Sequence, residues 1–224
     1  MNIDDFKTIT PLDNNFILHQ YSNKFSNGGK IKIKCTGADE KFVFINSFFL
    51  DYLKEYHLPI AFVKSHNKNS LRYLKHESLN FYIKILNLCD KRTAKIFGKK
   101  ESEPLTLPLL EYHYINGKDS LISESHLITF DLCTMEDIKI INRLCSKANA
   151  ILKSYFERRN STLAEVSCYF GKIAEKIYLV DDFTPRSLKI IPLDRNPKAV
   201  DPYNLNSAQS IKHYTDYLYN HVIA

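Results

Sequence analysis

From Thr134 onward, apolar residues return every third or fourth position: Ile138, Ile141, Leu144, Ala148, Ile151, Leu152 and Tyr155 share one stripe. That period belongs to an α-helix with one buried face. Thr134 stands where an N-cap belongs and Asp137 completes a capping box, so the helix is expected to end near Glu157–Asn160. Ile211, Tyr214, Leu218 and Val222 form a second stripe and predict a closing helix from about Ser207. A shorter stripe, Phe49, Tyr52, Leu53 and Tyr56, predicts a helix that begins at Asn46 and closes at Leu58-Pro59. Asp90 to Phe97 reads as a short helix with Gly98 at its C′ position.

Elsewhere the pattern is that of strands. Phe16–His19, Lys30–Lys34 and Lys41–Ile45 are expected as short strands, separated by turns such as Ser26-Asn27-Gly28-Gly29. Strand character returns at Ile60–Lys64, Ser70–Lys75 and Leu79–Leu88, where the run Ile83-Lys84-Ile85-Leu86 implies burial on at least one side. Glu103 to Leu110, with its two prolines, reads as irregular, and Asn116-Gly117-Lys118-Asp119 as a turn. Glu165 to Gly171 reads as a strand joined by a tight turn at Gly171-Lys172 to a second strand, which ends on Asp181 and Asp182. A proline-bearing loop spans Pro192 to Pro202. Strands first, then mixed segments, then helices beside a hairpin predict an α+β fold of two lobes with a cleft, residues 1–90 rich in sheet and 91–224 combining hairpin and helices.

Composition narrows the classes. The 224 residues are 44% hydrophobic and 25% charged, ordinary for a globular protein able to bury a core. Only six glycines occur, and no glycine-rich phosphate loop is present. The net charge of +6 is spread, with one cluster at Lys91, Arg92, Lys95, Lys99 and Lys100. This reads as a solvated helical face and not as a nucleic-acid stripe, which would interleave exposed aromatics. A pocket for anionic small molecules gives the same bias. The five cysteines at 35, 89, 133, 145 and 168 show no metal or disulfide spacing and favour free thiols in a reducing cytoplasm. The acidic N-terminus lacks an apolar h-region, so no signal peptide is expected, and no apolar run approaches the ~20 residues of a membrane span.

Carboxylates are hard oxygen ligands suited to Mg²⁺ bridging phosphates, which makes Asp181 and Asp182 candidates, with Glu165 across the hairpin. Solvated strand ends and a sheet-surface charge are the alternatives. Lys7 offers countercharge to phosphate or is simply solvated, and Asp119 offers a carboxylate or an ordinary turn residue. His57 and His126 lack a serine or aspartate partner and receive no catalytic role.

The hairpin Glu165-Val166-Ser167-Cys168-Tyr169-Phe170-Gly171, followed by Asp181-Asp182-Phe183-Thr184-Pro185, resembles the signature of the SAICAR synthetases, Asp-x-Lys-x-Glu-Phe-Gly and then Asp-Glu-Phe-Ser-Pro-Asp. Lys7-Thr8-Ile9, Ser26, Asn46 to Leu50, His57-Leu58-Pro59-Ile60, Asp119 with Glu124-Ser125, and Lys147 to Leu152 are similar to further family segments in the same order. The resemblance implies the family's two-lobed fold: an antiparallel sheet lobe that binds nucleotide, a mixed lobe, and a cleft between them. It implies ATP and Mg²⁺, with Lys7, Ser26 and Asp181 toward the nucleotide, Asp181 and Glu165 toward metal, and Asp119 and Glu165 in catalysis. Asn87, Arg92 and Lys189 fall toward substrate. Partners are then a small-molecule carboxylate and amine, with no nucleic acid and no membrane, and a homo-oligomer or partner protein is left open.

The anion-handling set departs from the family. Its Pro-x-Glu-x-Val-Val-Arg-Asn-Arg-x-x-Gly-Ser reads Asn80 to Arg92 here: Asn87 is kept, both arginines are Leu86 and Leu88, the glutamate is Tyr82, and the Gly-Ser pair is Lys91-Arg92. In the hairpin the family lysine is Ser167 and its glutamate Tyr169, and Lys189 stands where the distal arginine would. Leucine cannot replace bidentate arginine contacts to carboxylate or phosphate. Two readings follow: an ATP-dependent carboxylate–amine ligase for a different, less phosphorylated substrate, or a catalytically silent relative that binds a ligand or a partner protein.

Overall fold

A computed structural model of the chain describes residues 3–4, 6–27, 31–115, 121–180, 183–193 and 200–223. In chain order the elements are β1 (Ile3–Asp4), β2 (Lys7–Pro11), β3 (Phe16–Tyr21), β4 (Lys24–Asn27), β5 (Ile31–Lys34), α1 (Ala38–Glu55), β6 (Phe62–Asn67), β7 (Ser70–Leu74), β8 (Glu77–Leu88), α2 (Lys91–Phe97), β9 (Pro104–Tyr114), β10 (Leu121–Ile122), α3 (Glu124–Thr129), α4 (Met135–Glu157), β11 (Ser161–Ile173), β12 (Lys176–Leu179), β13 (Leu188–Pro192) and α5 (Ala208–Ile223). They build three antiparallel sheets: β1-β4-β5, β2-β3-β7-β6, and a six-stranded sheet ordered β10-β9-β8-β11-β12, with β13 also on β11. The fold is α+β, as the order of segments predicts.

The capping box at Thr134 forms as expected: its hydroxyl accepts from the Asp137 amide at 3.1 Å, and Asp137 accepts from the Thr134 amide at 3.1 Å. The stripe that follows buries Ile138, Ile141, Ala148 and Leu152 against one face of the six-stranded sheet, where Ile83, Ile85, Val166 and Cys168 meet it. Each large aliphatic buried this way contributes about 1.5–3 kcal/mol. Asp90 caps α2 through the Thr93 amide, and Gly98 ends it in the left-handed region at φ 63. None of the described helices is long and apolar enough to cross a membrane.

Four expectations need correction. Lys41–Ile45 is not a strand, and the helix does not begin at Asn46; one helix, α1, runs from Ala38 after a left-handed Gly37. Phe42, Val43, Ile45, Asn46, Phe49, Leu50 and Leu53 are buried along it, a helical stripe whose first turn, taken alone, looks like any short apolar run. Glu103–Leu110 is not irregular, because β9 starts at Pro104 and pairs with β8. Its prolines are tolerated because β10 covers β9 only at Tyr112 and His113, leaving the proline-bearing stretch at the sheet edge. The hairpin turn lies at Ala174 and Glu175, both at positive φ, and not at Gly171-Lys172. Finally, β6 begins at Phe62, two residues after the Ile60 expected. The turn expected at 116–119 lies outside the described residues.

Gly171 serves close approach, not turning. A Cβ there would stand 2.7 Å from His76 Cδ2 and 3.0 Å from the Glu77 carbonyl oxygen. His76 is held in that place by a 2.8 Å hydrogen bond between its Nδ1 and the Leu74 carbonyl. Gly171→Ala should cost about 1–3 kcal/mol by overpacking, read as a lower urea midpoint. An unchanged midpoint would mean that His76 swings clear at no cost.

Candidate active site on the polar face of the central sheet

Opposite the α4 face, the register of β9, β8 and β11 sets side chains in rows. His113, Tyr82 and Tyr169 are cross-strand partners. Their rings stack, with centroids 5.1 and 4.9 Å apart and planes within 15° and 21°. The next row holds Glu111, Lys84 and Ser167, and the one after it Leu109, Leu86 and Glu165, with Lys189 of β13 opposite Glu165. A bulge between Leu163 and Glu165 leaves Ala164 without a partner on β13 and aims Glu165 at Lys189.

Charges are tightly shared here. The Lys84 ammonium lies 3.1 Å from Glu111 and 3.5 Å from Asp90. Arg92 donates to the other oxygen of Glu111, Oε1, and His113 Nε2 lies 3.3 Å from Oε2, the oxygen that Lys84 faces. Burial raises the Glu111 carboxyl, but His113, Lys84 and Arg92 outweigh it and hold the pKa at about 2. Glu165 is the contrast. It is 8% exposed, and burial lifts its carboxyl above the usual range, against the pull of Lys84 and Lys189. Lys189 is buried too; burial brings it down to about 8, although Glu165 and Asp201 oppose that. Its ammonium donates to the carbonyls of Pro185 at 2.6 Å and Pro202 at 2.9 Å.

Other expected residues fall elsewhere. Asn87 turns to the α4 face, where its amide and that of Asn149 donate to each other at 2.8 and 2.9 Å. Lys7 opens β2 opposite Tyr21, near two imidazoles. Burial first, and then Lys7, holds His19 well below its usual pKa and His76 below its own. Ser26 is buried on the small sheet β1-β4-β5. Arg92 joins the Glu165 neighbourhood through Glu111 and Lys84. Asp119 and Asp181 lie outside the described residues. Among the described residues no three His, Cys, Asp or Glu are grouped to hold a metal. Glu165 feels the charges of Lys84 and Lys189, which oppose a hard cation there.

Lys84, Asp90, Glu111, His113 and Tyr203 were not singled out from the sequence for this site. The signal for Lys84 was there: one cation at an alternate position in the run Phe81 to Leu86, which carries no other charge. Glu111 gave a similar one, set between Leu110 and Tyr112.

The family model for SAICAR synthetase matches residues 10–205. The chain belongs to the SAICAR synthetase family. A phosphoribosylaminoimidazole-succinocarboxamide synthase of Thermoanaerobacter sp. (strain X514) is 28% identical over 143 residues, 63% of this chain and 61% of that protein. The synthase of Wolbachia pipientis subsp. Culex pipiens is 24% identical over 178 residues, 77% and 74% of the two chains. The alignment thus spans about six tenths of the length of several curated relatives. The crystal structure of the Ehrlichia chaffeensis synthase superposes with a TM-score of 0.84 at 20% identity, covering 99% of both chains. A type-2 SAICAR synthetase in complex with ADP gives 0.88 at 19% identity, over 96% of this chain and 94% of that one. The α+β fold of these SAICAR synthetase structures is therefore the fold of this chain.

The charge cluster makes a pH-dependent contribution to stability. Glu111 sits at about 2 instead of the ordinary 4.5, so its depressed pKa stabilises the folded state above the unfolded value. That contribution, on the order of 3 kcal/mol, is lost as pH falls from about 4.5 toward about 2. Glu111→Gln should flatten this acid-side loss in urea unfolding compared between about pH 6 and about pH 3. An equal pH dependence in both proteins would remove Glu111 as its source.

Proposed function

We propose that the chain is an ATP-dependent carboxylate–amine ligase of the SAICAR synthetase kind, acting on a substrate other than the family's phosphorylated imidazole. One observation carries this reading: a buried, ionisable Glu165 faces a cavity beside Lys84 on a sheet face otherwise stripped of the family's arginines. Family membership and the ADP-bound neighbour support nucleotide use. ATP supplies activation of a carboxylate as its acyl phosphate. Lys7 gives countercharge near the phosphates, with Ser26 beside the nucleotide and metal contact assigned to Asp181 alone. Glu165 accepts the proton of the attacking amine, for which a carboxyl raised above its usual range is better matched than an ordinary one. Asp119 is assigned an assisting role in catalysis, and Arg92 and Lys189 face the substrate. Asn87 supports that wall of the site from behind through Asn149. The five buried free thiols suit a reducing compartment, and we assign the reaction to the cytoplasm.

A specific observation favours a second reading. Tyr82 and Tyr169 stack where the family carries two glutamates, so the ring pair fills space that a metal–nucleotide would use. A silent relative would keep the fold and bind a ligand without chemistry. Calorimetric titration of ATP with and without Mg²⁺ separates the two. The ligase reading expects Mg²⁺-dependent binding that Asp181→Asn abolishes, together with no appreciable succinocarboxamide formation from the family's aminoimidazole substrate. Absence of ATP affinity at millimolar nucleotide would remove the ligase reading, and succinocarboxamide formation at an ordinary enzymatic rate would remove the claim of a different substrate.

A further inference from the structure

Helix α1 buries one side in the core and turns a row of rings outward. Phe44, Phe48, Tyr52 and Tyr56 recur every fourth residue, so they form one ridge along the helix surface. Phe44 and Tyr56 are 44% and 42% exposed. Each ring is braced by another. Phe48 and Tyr52 lie 6.0 Å apart with planes within 6°, and Tyr52 and Tyr56 lie 5.2 Å apart. Tyr155 of α4 backs Phe48 and Tyr52 at 5.6 and 5.2 Å, and Tyr219 of α5 flanks Phe44 at 5.1 Å. Arg158 donates to the Tyr52 hydroxyl at 3.1 Å. From Phe44 to Tyr56 the ridge is about 18 Å long. A contiguous exposed row of this kind marks an interaction surface, whereas apolar residues scattered singly do not.

A second row, Ser47, Asp51 and Glu55, runs beside the first, and the two rows border a groove of about 280 Å³. The charged groups in its wall are both carboxylates, although the chain as a whole carries +6. Lys54 engages one oxygen of Asp51 at 3.2 Å, yet the Asp51 side chain stays 62% exposed. Glu55 is exposed at the same rim.

Shape and charge together select the occupant. A groove between two rows of residues four apart receives the side-chain ridge of another helix, and ~18 Å matches about three turns of one. The aromatic rings suit its apolar stripe. The carboxylates favour basic residues along its edge and oppose acidic ones. A second copy of α1 fits poorly: a two-fold axis through the groove brings Asp51 and Glu55 of one copy toward the same pair of the other.

We propose that the outer groove of α1 docks a basic amphipathic helix of a partner protein. The surface shares no residue with the polar face of the central sheet, and docking needs neither nucleotide nor turnover, so it stands apart from the ligase reading.

The chain has no tryptophan, so one tryptophan placed in a peptide reports binding by its fluorescence. The probe is a helical peptide of Leu, Ala and Lys with one Trp, its leucines spaced to form a single apolar stripe. Its controls are the same peptide with Glu for Lys, and a scrambled peptide of equal composition with no apolar face. The basic helix should bind the full chain with a micromolar Kd, and NMR amide shifts should map to α1 between Phe44 and Tyr56. Phe44→Ser with Tyr56→Ser should weaken binding by about tenfold or more. Asp51→Lys with Glu55→Lys should weaken it as far and transfer the preference to the acidic peptide. All four replaced side chains are exposed, and thermal melts check that the variants fold. If the ring variant melts early, the charge variant, which removes no ring, carries the test. Equal binding by the acidic or scrambled peptide, equal binding by the variants, shifts confined to other elements, or no binding at millimolar peptide overturns the proposal. So does a dimer in sedimentation that Phe44→Ser disperses, because the groove then belongs to a second copy.

Discussion

Pairing of β8 with β11 decides which side chains of this protein can meet. The register sets Lys84 against Ser167 and Tyr82 against Tyr169, and because strand side chains alternate, it also sets Ile83 and Ile85 with Val166 and Cys168 on the other face. A slip of one residue would carry the apolar set onto the polar face and the charges into α4. The α4 face is closed by Ile138, Ile141, Ala148 and Leu152, all fully or almost fully buried, so the register is held by the whole core. The Asn87–Asn149 amide pair adds a polar check on the same alignment, since displacing either leaves a buried amide unsatisfied.

Charge on the polar face is organised around a difference between two glutamates. Glu111 is surrounded by Lys84, Arg92 and His113 and is held at low pKa. Glu165 is buried about as deeply but has no hydrogen-bond donor among the described residues, and its pKa rises. Carboxylates in one sheet are thus driven apart in acidity by their neighbours, an arrangement common where proton transfer is needed. The bulge at Ala164 contributes by re-aiming Glu165.

Membership of the SAICAR synthetase family and the altered polar face of the sheet are compatible because they depend on different residues. The fold relies on apolar periodicity, caps and close approaches such as Gly171 against His76. The positions that depart from the family pattern lie on the other face of β8 and β11. Replacing arginine by Leu86, which is fully buried, and glutamate by Tyr82 and Tyr169 changes what the face can hold without disturbing the α4 side. Stacked rings substitute one cross-strand stabilisation for another.

The sequence by itself determined the α+β class, the helices α2, α4 and α5, and the family resemblance, because those depend on local period, capping residues and ordered motifs. Thr134 with Asp137, Asp90 and Gly98 carry their meaning within a few residues of chain. It misplaced α1 and β9, because a short run such as Phe42-Val43-Phe44-Ile45 has no period of its own and because prolines are tolerated at a sheet edge that only pairing reveals. Glu165 was a candidate site residue from the hairpin motif. That it is buried without a donor, while Glu111 close by is crowded with cations, was decided by the tertiary structure: both depend on residues brought from β8, β9, α2 and β13, and no spacing along the chain encodes which charges will lie beside a carboxylate.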